Sequence, residues 1–161
     1  MESDPPTEVV EGIFIGSISS VKSGGMASID AIINLSGRCY ETNKAMINIV
    51  MDDTNVDLES LDTYVKKFTI GVAAIEAARK ESRSVLVHCA AGINRSATLI
   101  AFYLIEQGYS YDETLRLLSA ANKKRGVELL TNPTFKSFLK THYILRKNFA
   151  GRNEAFQKLS K

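Results

Sequence analysis

The segment Ser84-Val-Leu-Val-His-Cys-Ala-Ala-Gly-Ile-Asn-Arg-Ser96 changes character halfway along its length. Residues 84–87 are a compact apolar run suited to a strand buried in a sheet. Residues 97–107 are apolar again, at a length and spacing that predict a helix. Between them lie nine residues that are small, polar or reactive, His88 to Ser96. A buried strand, a short loop and a helix therefore follow one another directly. In that arrangement loop N–H groups and the positive end of the helix converge on one point.

A cysteine at such a junction has its sulfur against several backbone N–H groups, which stabilise a negative charge by dipole and hydrogen bonding. Arg95 lies six positions after Cys89, so a loop curling around a central anion brings its planar guanidinium to the phosphate that Cys89 would attack. Gly92 and the small Ala90 and Ala91 let backbone amides come close to that ligand. A cysteine taken alone is commonly a buried structural residue. His88, Gly92, Arg95 and Ser96 at these spacings favour instead a phosphate cradle with a nucleophile at its floor.

Outward from this segment, residues 8–17 cluster Val9, Val10, Ile13, Phe14 and Ile15 around Gly12, the pattern of two short strands and a tight turn. Residues 17–28 are small and polar, with Gly24-Gly25 marking a turn or a flexible stretch. Residues 29–35 and 45–51 are apolar runs suited to buried strands. Leu61, Val65, Phe68, Val72 and Ile75 recur at steps of four and three, which predicts an amphipathic helix from Leu58 to about Lys80. Residues 111–121 predict a further helix. Asn132-Pro133 is an N-cap with proline in the first turn, opening a last core helix whose inward face is Phe135, Phe138, Leu139, His142 and Leu145. Lys123-Lys124-Arg125 reads as a solvated charge run.

The length of 161 residues suits one domain, with a flexible start over 1–7, a folded core over 8–147 and an extension over 148–161. The composition is that of a soluble globular protein, and a net charge of +2 is too small to drive nucleic-acid or membrane association. The acidic start with Pro5-Pro6 lacks a secretory pattern, and no apolar run reaches the length of a membrane span. Cys39 and Cys89 are too few for a disulfide framework, which fits a reducing, intracellular setting, the cytoplasm or the nucleus. No Cys or His spacing resembles a metal site, so no metal is expected.

His88-Cys89-Ala90-Ala91-Gly92-Ile93-Asn94-Arg95-Ser96 resembles the signature loop of the cysteine-based protein tyrosine phosphatase superfamily, and the short host domain is similar to its dual-specificity branch, in particular small atypical and viral members. The resemblance runs from about Val9 to about Leu145, through Ile-Phe-Ile-Gly-Ser, Ile-Ile-Asn-Leu-Ser and Asn-Pro-x-Phe. It implies an α/β fold, a single domain with a central, mostly parallel sheet flanked by helices, with the catalytic domain over 8–147. It implies Cys89 as nucleophile, the loop 90–95 with Arg95 as phosphate ligands, Ser96 as an aid to release, and His88 in support. A separate aspartate would protonate the leaving oxygen. Asp53 best matches that position, with Asp52 and Asp57 as the other candidates.

The function implied is a protein phosphatase acting on phosphotyrosine and on phosphoserine or phosphothreonine through a cysteinyl-phosphate, with phosphoproteins as partners and no cofactor. Asn94 replaces a common serine, which bears on substrate preference, and the resemblance also offers Lys123-Lys124-Arg125 a second phosphate. Removal of RNA 5′-triphosphate or phosphoinositide phosphate is the alternative within the superfamily. The loop lacks the lysines of lipid-directed relatives, and the surface lacks the basicity of RNA-directed ones. A silent phosphoprotein-binding module is the alternative outside enzymes. Dimerisation is left open.

Overall fold

The computed structural model of the protein describes residues 4–51, 58–128 and 132–159. Strands β1 (Thr7–Val10) and β2 (Ile13–Gly16) pair antiparallel across a turn in which Gly12 takes a φ of +78°, a left-handed conformation that costs glycine little. With β3 (Ala31–Asn34), β4 (Ala45–Asn48) and β5 (Val85–His88) they form a five-stranded sheet in the order β1-β2-β5-β3-β4. All pairs except β1–β2 are parallel, so the sheet is mostly parallel, as the sequence implies.

Alternation along the strands divides the core between two faces. Ile13, Ile15, Ile33, Val85 and Val87 face helices α1 (Leu58–Lys80), α2 (Arg95–Glu106), α3 (Tyr111–Arg125) and α4 (Pro133–Leu159), which contribute Phe68, Ile75, Leu99, Leu104, Leu118, Phe135 and Leu139. Phe14, Ile32, Met46 and Leu86 face the other way and are covered by Val21, Met26 and Ile29. Two short 3-10 turns, Ile18–Lys22 and Gly24–Ser28, supply most of that cover. Their sequence shows no periodicity because local bonds hold them: the Ser17 N–H to Ser20 Oγ, Ser23 Oγ to the Ser20 carbonyl, and Ser28 Oγ to the Gly25 carbonyl.

Between α1, α2 and α4 the rings of Phe68, Phe102, Phe135 and Phe138 pack with centroids 5.6–6.2 Å apart. His142 stacks on Phe102 at 4.2 Å and continues this face, as expected. Leu145 does not, being 62% exposed: Arg146, one turn after His142, takes the contact with Glu106 of α2, and Leu145 falls on the flank. Helix α4 runs without a break to Leu159, so the 148–161 segment begins as its continuation.

One expectation on charge needs correction. Helix α3 extends past Ala121 to Arg125, and while Lys123 and Lys124 are exposed, the Arg125 side chain is 1% exposed in an ion pair with Asp4. Before β2, Asp4 is paired with Arg125 and Thr7 opens the β1 ladder.

Candidate active site

The parallel register sets Gly16, His88 and Asn34 side by side, so the loops after β2, β5 and β3 leave the sheet from one edge. Cys89 is the first residue past the central strand and is 2% exposed. The carboxyl edge of a parallel sheet is where such folds bind ligands, because loops and helix N-termini converge there.

Within the loop 89–95 the Cys89 sulfur lies 3.2 Å from the Gly92 N–H donor nitrogen and 3.3 Å from Ser96 Oγ, which is fully buried in the first turn of α2. The chain turns back on itself at Gly92, whose φ is +72°. A Cβ there would come within 2.5 Å of the Gly16 carbonyl oxygen and 2.2 Å of Arg125 Nη2. Glycine is thus required by the turn and by the neighbours behind it, not only by the approach of a ligand.

Arg95 opens α2 and its guanidinium is tethered at one end: Nη1 donates to the Leu35 carbonyl at 3.1 Å and to the Met51 carbonyl at 2.9 Å. Its Nε is buried and has no hydrogen-bond partner among the described residues. A buried guanidinium donor without an acceptor is costly, and an oxyanion is the acceptor that matches its geometry. Asn94 turns its side chain away from this work. Its Oδ1 accepts from the Asn132 N–H at 2.9 Å, while Asn132 Oδ1 accepts from the N–H groups of Thr134 and Phe135 as the N-cap of α4.

His88 is fully buried beside the site. Its Nε2 lies 2.7 Å from Tyr40 Oη and its Nδ1 3.4 Å from the Cys89 carbonyl oxygen. Burial lowers the His88 pKa and Arg95 adds to this, against the opposing bond to Cys89, so the ring is held neutral; burial pushes Tyr40 up to about 12. The Cys89 carbonyl can only accept, so that bond keeps the ring proton on Nδ1, and Tyr40, which stays protonated, donates to Nε2. Tyr40 was not foreseen from the sequence, since it lies in the polar β3–β4 loop with no pattern around it. Asp53, with Asp52 and Asp57, lies outside the described residues. Cys39 is exposed and free.

A central-strand cysteine, a glycine-turned loop and an arginine at the head of the next helix define a phosphatase of the cysteine-dependent class. The model of the dual specificity phosphatase catalytic domain matches residues 13–157, and the chain belongs to that family. Dual specificity protein phosphatase OPG106 of vaccinia virus (strain Copenhagen) is 27% identical over 150 residues, spanning 88% of this chain and 84% of that one. The 123R protein of Invertebrate iridescent virus 6 is 31% identical over 125 residues, spanning 76% and 81%. Human DUSP28 superposes with a TM-score of 0.75 at 21% identity over 89% of this chain and 95% of its own, and OH1 of Orf virus with 0.67 at 17% over 89% and 90%. The protein is a protein phosphatase, a hydrolase, and the RNA, phosphoinositide and silent-binder alternatives are not favoured by these likenesses. Among the described residues no helix is long and apolar enough to cross a membrane.

Proposed function

We propose that the chain removes phosphate from phosphotyrosine and from phosphoserine or phosphothreonine in proteins, with Cys89 as nucleophile, Arg95 as phosphate clamp, Asp53 as general acid and Ser96 as the aid to release. The observation that carries this reading is the buried Cys89 sulfur between the Gly92 N–H and Ser96 Oγ, six residues before a guanidinium whose Nε has no partner among the described residues.

In the first step the Cys89 thiolate attacks phosphorus in line, an S–P bond forms, and the bond from phosphorus to the leaving oxygen breaks. Arg95 and the N–H groups of Ala90, Ala91, Gly92, Ile93 and Asn94 hold the charge of the transferring group. Asp53 gives its proton to the leaving phenol or alcohol. Met51, whose carbonyl binds Arg95, is two residues from Asp53, a step of at most about 7 Å along the chain. In the second step water attacks phosphorus, Asp53 takes its proton, and the S–P bond breaks with Ser96 donating to the departing thiolate. His88 orients the loop. The domain spans 8–147, phosphoproteins are the partners inside the cell, and no cofactor enters the scheme.

Turnover of phosphotyrosine and phosphothreonine peptides tests the reading. Cys89→Ser should abolish both, and Asp53→Ala should lower the rate ~10²- to 10⁴-fold and retain phosphoproteins in a trapping assay. Activity that survived in Cys89→Ser, or that vanished with a chelator, would refute it.

A further inference from the structure

Three successive carbonyls of the phosphate loop are held from outside. The Ala90 carbonyl accepts from the Ile18 N–H at 3.1 Å, the Ala91 carbonyl from Arg125 Nη2 at 3.2 Å, and the Gly92 carbonyl from Arg125 Nη1 at 2.7 Å. A trans peptide unit is planar, with its C=O and N–H pointing in opposite directions. Anchoring these carbonyls outward therefore turns the N–H groups of Ala91, Gly92 and Ile93 inward. The 3.2 Å contact of the Gly92 N–H with Cys89 Sγ has this sense. One guanidinium spans two consecutive carbonyls, a geometry that a lysine ammonium does not reproduce.

Arg125 is fixed in turn by Asp4. Nε donates to Oδ1 at 2.9 Å and Nη2 to Oδ2 at 2.5 Å, so both carboxylate oxygens are engaged, while Nη1 also reaches Asn122 Oδ1 at 2.8 Å. The Asp4 carbonyl accepts from Ser20 Oγ, the same hydroxyl that receives the Ser17 N–H. Pro5 and Pro6, whose φ angles are restricted by their rings, lead from Asp4 to β1 and lie against Gly25, where a Cβ would sit 3.0 Å from Pro6 Cδ. Burial opposes the charge on Asp4, but the bonds to Arg125 and Ser17 outweigh it and hold the carboxyl below its ordinary value. Without that carboxylate, Arg125 would be a buried charge lacking a counterion, and it would leave the loop for water.

We propose that Asp4 is a positioning residue for the phosphate loop: its carboxylate locks Arg125 in the orientation that turns the loop amides toward Cys89. The inference rests on the reading of residues 89–95 as the phosphate site. It makes the segment before β1 part of the active-site architecture.

Asp4→Asn keeps the shape of the side chain and removes its charge. In the full chain it should weaken inhibition by inorganic phosphate about tenfold and lower kcat/KM for p-nitrophenyl phosphate by a similar factor. Alkylation of Cys89 by iodoacetamide should slow by a similar factor. Asp4→Glu should recover part of each effect, Arg125→Lys should reproduce the losses, and Lys124→Ala on the exposed side of α3 should change nothing. If Asp4→Asn lowers Tm but leaves phosphate inhibition, kcat/KM and the alkylation rate within about twofold of the parent, Asp4 serves the fold alone and the proposal is overturned. Phosphate affinity, read by calorimetry, and alkylation need no turnover. They decide the role of Asp4 even if the parent protein releases no phosphate from peptides, a result that would count against the catalytic reading instead.

Discussion

Tyr40 and His88 share a hydrogen bond of 2.7 Å behind the nucleophile, in which Tyr40 donates to Nε2 while Nδ1 faces the Cys89 carbonyl. Tyr40→Phe removes the donor and leaves Nε2 a buried acceptor with nothing to bind. The cost should be about 1–3 kcal/mol, read as a lower urea midpoint at unchanged slope. Because only the 3.4 Å contact with the Cys89 carbonyl then holds the proton on Nδ1, ¹⁵N chemical shifts of His88 should show a fraction of the Nε2-protonated tautomer. A variant with the parent's stability and a single Nδ1-protonated ring would remove Tyr40 from the account.

Ser96 Oγ, 3.3 Å from the Cys89 sulfur and fully buried, can stabilise that sulfur when it leaves phosphorus as well as before it attacks. Ser96→Ala should therefore slow the second step more than the first, with kcat falling ~10- to 10²-fold and KM falling with it as the cysteinyl-phosphate accumulates. Rapid-quench measurement should show a burst of leaving group that the parent lacks. Equal loss in kcat and kcat/KM without a burst would place the serine in the first step.

Much of this arrangement was legible because it follows period or spacing. The strand before Cys89 is an apolar run, the stripe through Phe68, Val72 and Ile75 has helical steps, and Asn132-Pro133 is a capping signal that the bonds to Thr134 and Phe135 bear out. What escaped has no local signature. Arg125 reads like the lysines before it until the fold brings Asp4, 121 positions away in sequence, against it. Tyr40 reaches His88 across 48 positions, and the turns over 18–28 are built from serine bonds that leave no hydrophobic pattern. Gly92 was legible as a glycine that mattered, but the carbonyl of Gly16 behind it was not.

Gly92→Ala follows from that last point. The substitution forces a side chain onto a φ of +72° and sets its Cβ 2.5 Å from a backbone oxygen that cannot swing aside. Strain of this kind costs of order 1–3 kcal/mol for the backbone alone. The displaced loop should also lose phosphate binding, so stability and activity should fall together. A variant of unchanged Tm that still turned over substrate would contradict the geometry of the loop.

His88 and His142 make stability depend on pH. Burial is the larger influence on each and lowers its pKa below the ordinary 6.5; for His142 the nearby Glu106 carboxylate works against this and Arg146 with it. The folded protein thus binds fewer protons at these rings than the unfolded chain does. Stability is fully present above the unfolded value of 6.5 and declines as pH falls below it, until the folded rings are protonated too. The carboxylate of Asp4, also lowered, loses its contribution only further down, as pH falls below the ordinary 3.8. Urea midpoints should therefore drop between about pH 7.5 and about pH 5.5, and the drop should shrink in His142→Gln, whose amide can keep a bond to Glu106 but cannot titrate. Midpoints that stayed level, or rose, across that interval would mean that the stacking on Phe102 and the Glu106 contact favour the charged ring, and that His142 joins α2 to α4 as an ion pair.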